Sequence, residues 1–217
     1  MIASKDADAF IRANTRLLPV AHAPELVIHV ADEATELWQK TEDELAEIGL
    51  PPPFWAFAWA GGQALARYIL DNPQIVAGKT VVDFATGSGL VAIAAMKAGA
   101  KSVLANDIDS FCEAAVSVNA QVNGVEIAFT DRNLLDGPPP ACDVLLAGDI
   151  CYEKPMAEAV MTWLRQGRAA GSAVLIGDPG RTYFRKDDLV KLAEYQVETT
   201  RELEDFAVKR TSVWTLP

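Results

Sequence analysis

The sequence is poor in cysteine and in basic residues, and each shortage excludes a class of protein. Its three cysteines are odd in number and lack metal-ligand spacing, so we expect reduced thiols in a cytoplasmic protein and no metal site. Lysine and arginine number 19 against 30 aspartates and glutamates, which gives a formal net charge of -11. A nucleic-acid backbone attracts clustered positive charge, so no nucleic-acid partner is expected. A protein, a basic peptide or a small molecule suits this charge better.

Long apolar runs and targeting signals are also lacking. No apolar stretch reaches the roughly 20 residues that a membrane-spanning helix needs, so no membrane partner is expected. The first ten residues, MIASKDADAF, lack a basic region followed by an apolar one, and we expect neither a secretory signal nor a transit peptide. Half of the residues, 50%, are apolar, which predicts a soluble globular protein with a full core. The oligomeric state stays open.

The stretch from Thr80 to Asp109 organises the rest of the chain. A short apolar run ends on Asp83 and is followed by a turn of small residues. An alanine-rich helical pattern then stops at Gly99, and a second apolar run ends just before Asp107. This order predicts a strand, a tight loop, a helix and a second strand, which together form a βαβ unit.

The alternation continues to the carboxyl end. Helices are predicted at 110–123 and 155–169, with a short one near 185–190. Strands are predicted at 125–130, 143–147 and 172–177, and a final antiparallel hairpin at 192–201 and 206–216. The predicted fold is α/β, Rossmann-like and doubly wound, with a seven-stranded sheet that is mostly parallel apart from the hairpin.

An N-terminal extension precedes this pattern. We predict that residues 1–53 form a helical and strand extension that caps the site, and that residues 54–217 form the catalytic domain. Within the extension, the apolar spacing predicts a helix at 6–18, a strand at 26–30 and a helix at 33–48.

Aspartates stand at or after the ends of five predicted strands. Because the carboxyl ends of parallel strands share one edge of the sheet, these side chains are expected to converge on a binding site there. The five residues are Asp83, Asp107, Asp131, Asp149 and Asp178.

The small-residue loop admits two cofactors. Gly87-x-Gly89-x-x-Ala92 fits a dinucleotide-binding GxGxxA pattern, and Asp107 lies about 20 residues beyond the loop, where an acid can accept ribose hydroxyls. However, Asp83 at the strand end suits the cationic methionine moiety of S-adenosylmethionine (AdoMet) better than a pyrophosphate. Downstream of the loop no arrangement of residues resembles a hydride-transfer site. AdoMet is therefore favoured, and an NAD-dependent oxidoreductase is the less favoured alternative.

An aromatic segment, FWAFAWAGG, begins at Phe54. Trp59 lies just before Gly61-Gly62, with Ala60 between them. We predict that it contacts cofactor or substrate, because glycines permit close approach and the indole offers a flat face and an N–H donor. Phe54 and Phe57 are predicted to anchor the extension to the core instead.

Several of these stretches resemble motifs of one enzyme family. VVDFATGSG resembles the first motif of seven-strand AdoMet-dependent methyltransferases, an acid followed by GxGxG. Ala85 replaces the first glycine, which is expected only if that position needs no positive φ. GDICYE matches the Asp-x-x-Tyr signature of the protein-lysine methyltransferase branch at Asp149 and Tyr152, and PFWAFAWAGG resembles its tryptophan–glycine motif. With FIRANTRL, LVIHVADE, GGQALARYIL and GDPGR, the ordered set is most similar to the methyltransferases of the electron transfer flavoprotein β subunit.

This resemblance implies a role for each matching residue. The expected AdoMet ligands are Asp83, Gly87, Gly89 and Asp107, and Trp59 with Asp131 or Asn133 would line the methionine or adenine side. Asp149 and Tyr152 would meet both the sulfonium end of AdoMet and the incoming lysine. Asp149 would orient the amine and Tyr152 would shape the channel. S-adenosylhomocysteine would be the product, and the substrate would be a lysine of the flavoprotein β subunit.

Alternatives remain at four of these points. Tyr152 is alternatively a packing residue without a role in the reaction. The substrate is alternatively a ribosomal protein or a small molecule. Asp149 is alternatively a capping acid for the helix that follows it. Asp178 and Arg181 either contact the substrate protein or cap their own loop.

Overall fold

The computed structural model describes residues 4–31, 52–199 and 208–217. The predicted helix at 33–48 lies outside these residues. The helices in the described part are α1 Ser4–Asn14, α2 Ala60–Asp71, α3 Leu90–Lys97, α4 Ser110–Asn123 and α5 Lys154–Ala169. The strands are β1 Arg16–Val20, β2 Ala23–Val30, β3 Thr80–Phe84, β4 Ser102–Asn106, β5 Ala128–Thr130, β6 Val144–Gly148, β7 Ala173–Asp178, β8 Val190–Glu198 and β9 Val208–Thr215. Over the described ranges, no helix has the length and apolar character needed to cross a membrane.

Seven strands form one sheet in the order β5-β4-β3-β6-β7-β9-β8. The neighbours from β5 to β7 are parallel, whereas β9 pairs antiparallel with both β7 and β8. This is the predicted fold class. The chain builds outward from β3 to β5 and then returns to place β6 on the other side of β3. Ligands bind at such a switch point, beyond the carboxyl ends of the strands.

Helices cover both faces of the sheet, because alternate residues of each buried strand face opposite sides. Val81 of β3 and Leu146 of β6 pack in a buried cluster with α2 and α3. Their neighbours, Val82 and Leu145, pack in a second cluster with α5. The near-continuous apolar runs of the central strands follow from this double burial.

The N-terminal residues pack chiefly against α4. β1 and β2 form an antiparallel pair, and the backbone N–H groups of Val27 and His29 donate to Asn123 and Asn119 of α4 at 3.2 and 2.8 Å. Whether the whole of residues 1–53 caps the site stays a prediction.

Two predicted helices differ from the structure. The helix predicted at 6–18 ends at Asn14, and Arg16–Val20 forms β1, because Leu18 pairs with Ile28 across the hairpin. The short helix predicted near 185–190 is absent from this described stretch. A helix of six residues is marginal alone, and Asp188 bonds instead to Arg165 of α5.

Candidate active site

A cavity of about 540 Å³ lies at the carboxyl edge of the parallel strands. Most of the predicted site residues line it, namely Trp59, Asp83, Gly87, Asp107, Asn133, Asp149 and Tyr152. Gly89 and Asp131 are not among the lining residues. Gly89 is the N-cap residue before α3, with φ 80, and Asp131 is exposed on the loop after β5. The geometry therefore gives no support to direct cofactor contact by these two.

The loop after β3 is held in left-handed backbone conformations. Ala85 has φ 52, so this position does need a positive φ, and the condition under which alanine was expected here is not met. An alanine in this region costs roughly 1 kcal/mol relative to glycine. The neighbouring residue fixes the path, because the Thr86 N–H donates to the Asn106 carbonyl at 2.9 Å. Gly87 also has φ 52, and its N–H donates to Asp107 Oδ2 at 3.0 Å.

Asp83 is a buried carboxylate with neutral hydrogen-bond donors. Its side chain is 1% exposed, and Oδ2 accepts from the Thr86 hydroxyl at 2.5 Å and from the Ala92 N–H at 3.1 Å. Burial raises the pKa of Asp83 from 3.8 to about 7; the two hydrogen bonds oppose this rise and the nearby Asp107 adds to it. The protein therefore holds a carboxyl group that a cationic ligand would ionise.

Asp107 joins the glycine loop to the turn before α4. Its Oδ2 accepts from Gly87 and its Oδ1 accepts from the Asp109 N–H at 3.1 Å. Each carboxylate oxygen accepts more than one hydrogen bond, so capacity for ligand hydroxyls remains. Asn106, which the sequence reasoning missed, donates to the Thr130 and Arg132 carbonyls at 3.0 and 2.8 Å. A polar residue at the end of a buried strand was the signal for it.

The two glycines at the start of α2 bring this helix onto the sheet. A Cβ on Gly61 would collide with the Gly177 carbonyl, and a Cβ on Gly148 would lie 3.1 Å from Gly62 Cα. The close approach that Gly61 permits is therefore to strand β7, not to a ligand as predicted. Gly62 does line the cavity.

Asp149 forms hydrogen bonds with the first turn of the same helix, α2. Its Oδ2 accepts from the N–H groups of Gly61 and Gly62, where α2 has unpaired donors and a partial positive charge. Asp149 has φ 56, and its own N–H donates to the Gly177 carbonyl at 3.0 Å. The capping alternative was thus correct in kind but named the wrong helix, because Asp149 caps α2 rather than α5.

Arg181 completes the environment of Asp149. Its Nε and Nη2 donate to Asp149 Oδ1 at 3.0 and 2.8 Å, and the side chain lies 5.8 Å from the ring centre of Trp59. The Arg181 N–H donates to Asp178 Oδ1 at 2.9 Å. Asp178 thus caps its own loop, and burial raises the pKa of Asp178 to about 7.

Aromatic side chains lie together in the cavity lining, and we call Phe54, Trp59 and Tyr152 the aromatic wall. Phe54 lies 6.0 Å from Trp59 and 5.9 Å from Tyr152, measured between ring centres. The indole N–H of Trp59 donates to the Phe54 carbonyl at 2.9 Å, so this donor serves the wall itself. The anchoring role predicted for Phe54 is wrong, because its side chain is 48% exposed and lines the cavity. The buried anchor is Trp55, whose ring stacks on Phe111 at 5.9 Å.

Curated relatives match almost the whole chain. The electron transfer flavoprotein beta subunit lysine methyltransferase of Xenopus laevis is 35% identical over 212 residues, covering 95% of this chain and 85% of that protein. The protein of the same name from Rattus norvegicus is 33% identical over 213 residues, covering 95% and 82%. The chain belongs to the electron transfer flavoprotein beta subunit lysine methyltransferase family.

Other comparisons agree on the methyltransferase fold of this family member. The family model "Ribosomal protein L11 methyltransferase (PrmA)" matches residues 63–167. The crystal structure of magnesium protoporphyrin IX methyltransferase from Synechocystis PCC 6803 with bound SAM superposes with a TM-score of 0.54. It is 13% identical and covers 86% of this chain and 100% of that one. Membership of a lysine methyltransferase family, shown by the curated relatives, decides against the nicotinamide interpretation of the glycine loop.

The cavity of this family member fits its cofactor, AdoMet. Asp83 presents a carboxyl group without a charged donor among its described hydrogen bonds, which suits the cationic amino-acid end of AdoMet. Asp107 offers carboxylate oxygens for ribose hydroxyls. The volume of about 540 Å³ lies within the range of small-molecule sites.

Proposed function

We propose that this protein transfers methyl groups from AdoMet to lysine side chains of the electron transfer flavoprotein β subunit. One observation carries the proposal: Asp83 and Asp107, which we call the cofactor end, line the same cavity as the aromatic rings of Trp59 and Tyr152, which we call the substrate end. The first end suits AdoMet and the second suits the alkyl chain and amine of a lysine. The names of the relatives, matched over 95% of the chain, support the substrate protein.

The cofactor would be held by few groups. Asp83 would meet the methionine end, and Asp107 with the Gly87 loop would meet the ribose. AdoMet supplies a methyl group that its sulfonium already activates. The protein's contribution is therefore mainly alignment of donor and acceptor.

At the substrate end the lysine must lose a proton before it can accept a methyl group, since its reference pKa is about 10.4. Desolvation beside Phe54, Trp59 and Tyr152 would lower that value. Burial raises the pKa of Tyr152, so its phenol stays protonated and shapes the channel rather than accepting the proton. Asp149 would orient the amine from the inner end of this wall.

The direct test is incubation of the protein with radiolabelled AdoMet and purified electron transfer flavoprotein. We expect label on lysines of the β subunit, located by mass spectrometry, and a strongly reduced rate of labelling with Asp149→Asn. Ribosomal proteins and a small-molecule extract serve as competing acceptors, because the ribosomal-methyltransferase family model matches the core. Label on a competitor with an unlabelled β subunit would overturn the substrate assignment.

Two expectations from the sequence remain predictions. A cytoplasmic location is one, and cell fractionation would test it. The absence of a metal requirement is the other, and equal activity after dialysis against a chelator would support it.

A further inference from the structure

The guanidinium of Arg181 contacts both Asp149 and Trp59 at the substrate end of the cavity. Arg181 bonds through Nε and Nη2 to Asp149 Oδ1, and its planar head lies 5.8 Å from the ring centre of Trp59. Its side chain is only 20% exposed and lines the cavity. Arginine rather than lysine suits this place, because two donors in one plane reach the carboxylate while the same plane stacks on an aromatic ring.

The second carboxylate oxygen of Asp149, Oδ2, connects the Arg181 contact to the aromatic wall. Oδ2 accepts from Gly61 and Gly62, which follow the N-cap Trp59 after one residue, Ala60, at the start of α2. Asp149 therefore links Arg181 to the backbone that carries Trp59. The indole of Trp59 bonds in turn to the Phe54 carbonyl.

The loop that carries Arg181 is itself fixed. The Arg181 N–H donates to buried Asp178 at the end of β7, and its carbonyl accepts from the N–H of Phe184, which is 7% exposed. Arg181 thus extends from an anchored loop to the Asp149 carboxylate and the Trp59 ring, two groups that are far apart in the sequence.

We propose that Arg181 is a positioning residue for methyl transfer: it holds Asp149 and Trp59 in one arrangement, so that the lysine channel is preformed. The proposal rests on the proposed function for the reaction it serves. Asp149 then acts as a fixed anion that orients the channel rather than as the group that accepts the lysine proton. Arg181 donates twice to Oδ1, and Gly61 and Gly62 donate to Oδ2, so about four acceptor positions of the carboxylate are filled.

The test compares Arg181→Met with Arg181→Lys and with a matched control. Arg67 is 19% exposed in its side chain and bonds to Glu25 at 2.8 and 3.0 Å, outside the cavity lining. For Arg181→Met we expect kcat to fall about 10- to 100-fold, as misplacement of reacting groups does, with the Kd of AdoMet and the KM of substrate within about twofold. Arg181→Lys keeps the charge without the fork and should be intermediate. Arg67→Met should keep kcat within about twofold.

Two further measurements separate positioning from general damage. Amide hydrogen exchange of the segment 54–62 should accelerate in Arg181→Met and stay unchanged in Arg67→Met. The double variant Asp149→Asn with Arg181→Met should be no slower than Asp149→Asn alone, because the pair acts as a unit.

Three results would overturn the proposal: unchanged kcat, unchanged exchange of segment 54–62, or AdoMet binding weakened as much as kcat, which would make Arg181 a cofactor ligand. If Arg181→Met does not fold, Arg181→Lys carries the same comparison. Failure of the proposed function is distinguishable, because it shows as an unlabelled β subunit with the wild-type protein while the exchange measurement still decides the role of Arg181.

Discussion

The two ends of the cavity treat a buried strand-end carboxylate in opposite ways. At the cofactor end, Asp83 accepts from a hydroxyl and a backbone N–H, both neutral, and its pKa rises to about 7. At the substrate end, Asp149 is 8% exposed but pairs with the Arg181 guanidinium and with the start of α2. Both carboxylates are buried, so the difference between the two sites lies in their hydrogen-bond donors, which are neutral at Asp83 and include a guanidinium at Asp149. At the cofactor end a bound ligand would supply the positive charge next to Asp83, whereas at the substrate end Arg181 already supplies it next to Asp149.

The largest effect is expected from Asp149→Asn. This change keeps the side-chain shape but removes the anion from Arg181 and from the α2 N-terminus. We expect transfer to fall by at least about 100-fold, as for misplaced reacting groups, with the Kd of AdoMet within about twofold, measured by calorimetry and by label transfer. Unchanged turnover would show that Asp149 has no role in the reaction. A large loss of AdoMet affinity would show that Asp149 also serves cofactor binding and would contradict separate cofactor and substrate roles for Asp83 and Asp149.

The backbone contact beneath the substrate end gives the next prediction. A Cβ at residue 177 would collide with the Gly61 carbonyl, and overpacking of this kind costs about 1–3 kcal/mol or more. We expect Gly177→Ala to lower the free energy of unfolding by at least about 2 kcal/mol, measured by urea denaturation. Gly171→Ala is the control for alanine substitution at a site with open space, although its φ of 106 adds strain of its own. A loss no larger than that of the control would contradict the contact.

Asp83→Asn should act on the cofactor end alone. The folded-state pKa of about 7 exceeds the ordinary 3.8, so the folded protein binds more protons than the unfolded chain between these values, and wild-type stability falls as the pH rises from about 4 to about 7. Asp178 adds a fall of the same sign. Asp83→Asn should flatten part of this slope and raise the apo melting temperature at pH 8.

The same substitution should weaken AdoMet binding by about tenfold or more, since a charge-assisted contact is lost, roughly 1.4 kcal/mol. In the wild type, affinity should rise with pH towards about 7 as Asp83 ionises. Calorimetry from pH 5.5 to 8 checks both expectations, and Asp131→Asn, which changes an exposed carboxylate outside the lining, is the control. An unchanged stability slope in Asp83→Asn would place the titration elsewhere.

The smallest effects are expected in the loop itself. Gly87 has room for a Cβ, with the nearest atom at 3.8 Å, but its φ is 52, so Gly87→Ala should cost about 1 kcal/mol. Ala85→Gly relieves backbone strain in the folded state but raises the conformational entropy of the unfolded chain. The free energy of unfolding should therefore change by less than about 1 kcal/mol. Urea denaturation of both variants tests this, and a loss above 2 kcal/mol for Ala85→Gly would show that alanine contributes packing there.

Local pattern was enough to predict the parallel sheet and its acidic edge. The runs that end at Asp83, Asp107 and Asp149 are apolar on both faces, and such runs are readable one strand at a time. Strand pairing outside the βα alternation was not readable: Arg16–Val20 forms β1 instead of the end of a helix, because Leu18 pairs with Ile28 in a hairpin.

The site shows the same limit. Asp149 and Tyr152 were found by their shared motif, and both line the cavity. The Asp149–Arg181 pair spans 32 residues, and the Gly61–Gly177 contact spans more than 100, so only the folded backbone reveals them. The sequence offered GDPGR as a signal without indicating which carboxylate its arginine would meet.

The facing glycines also limit how this enzyme can be redesigned. Because a Cβ on either Gly61 or Gly177 would collide with the backbone of the other, a substitution at either position costs stability, and compensation would need the helix to move off the sheet. A library that aims to change the accepted lysine context should therefore keep this pair constant. Diversity belongs at Phe54 and Tyr152, whose side chains are 48% and 44% exposed and can change without disturbing the scaffold.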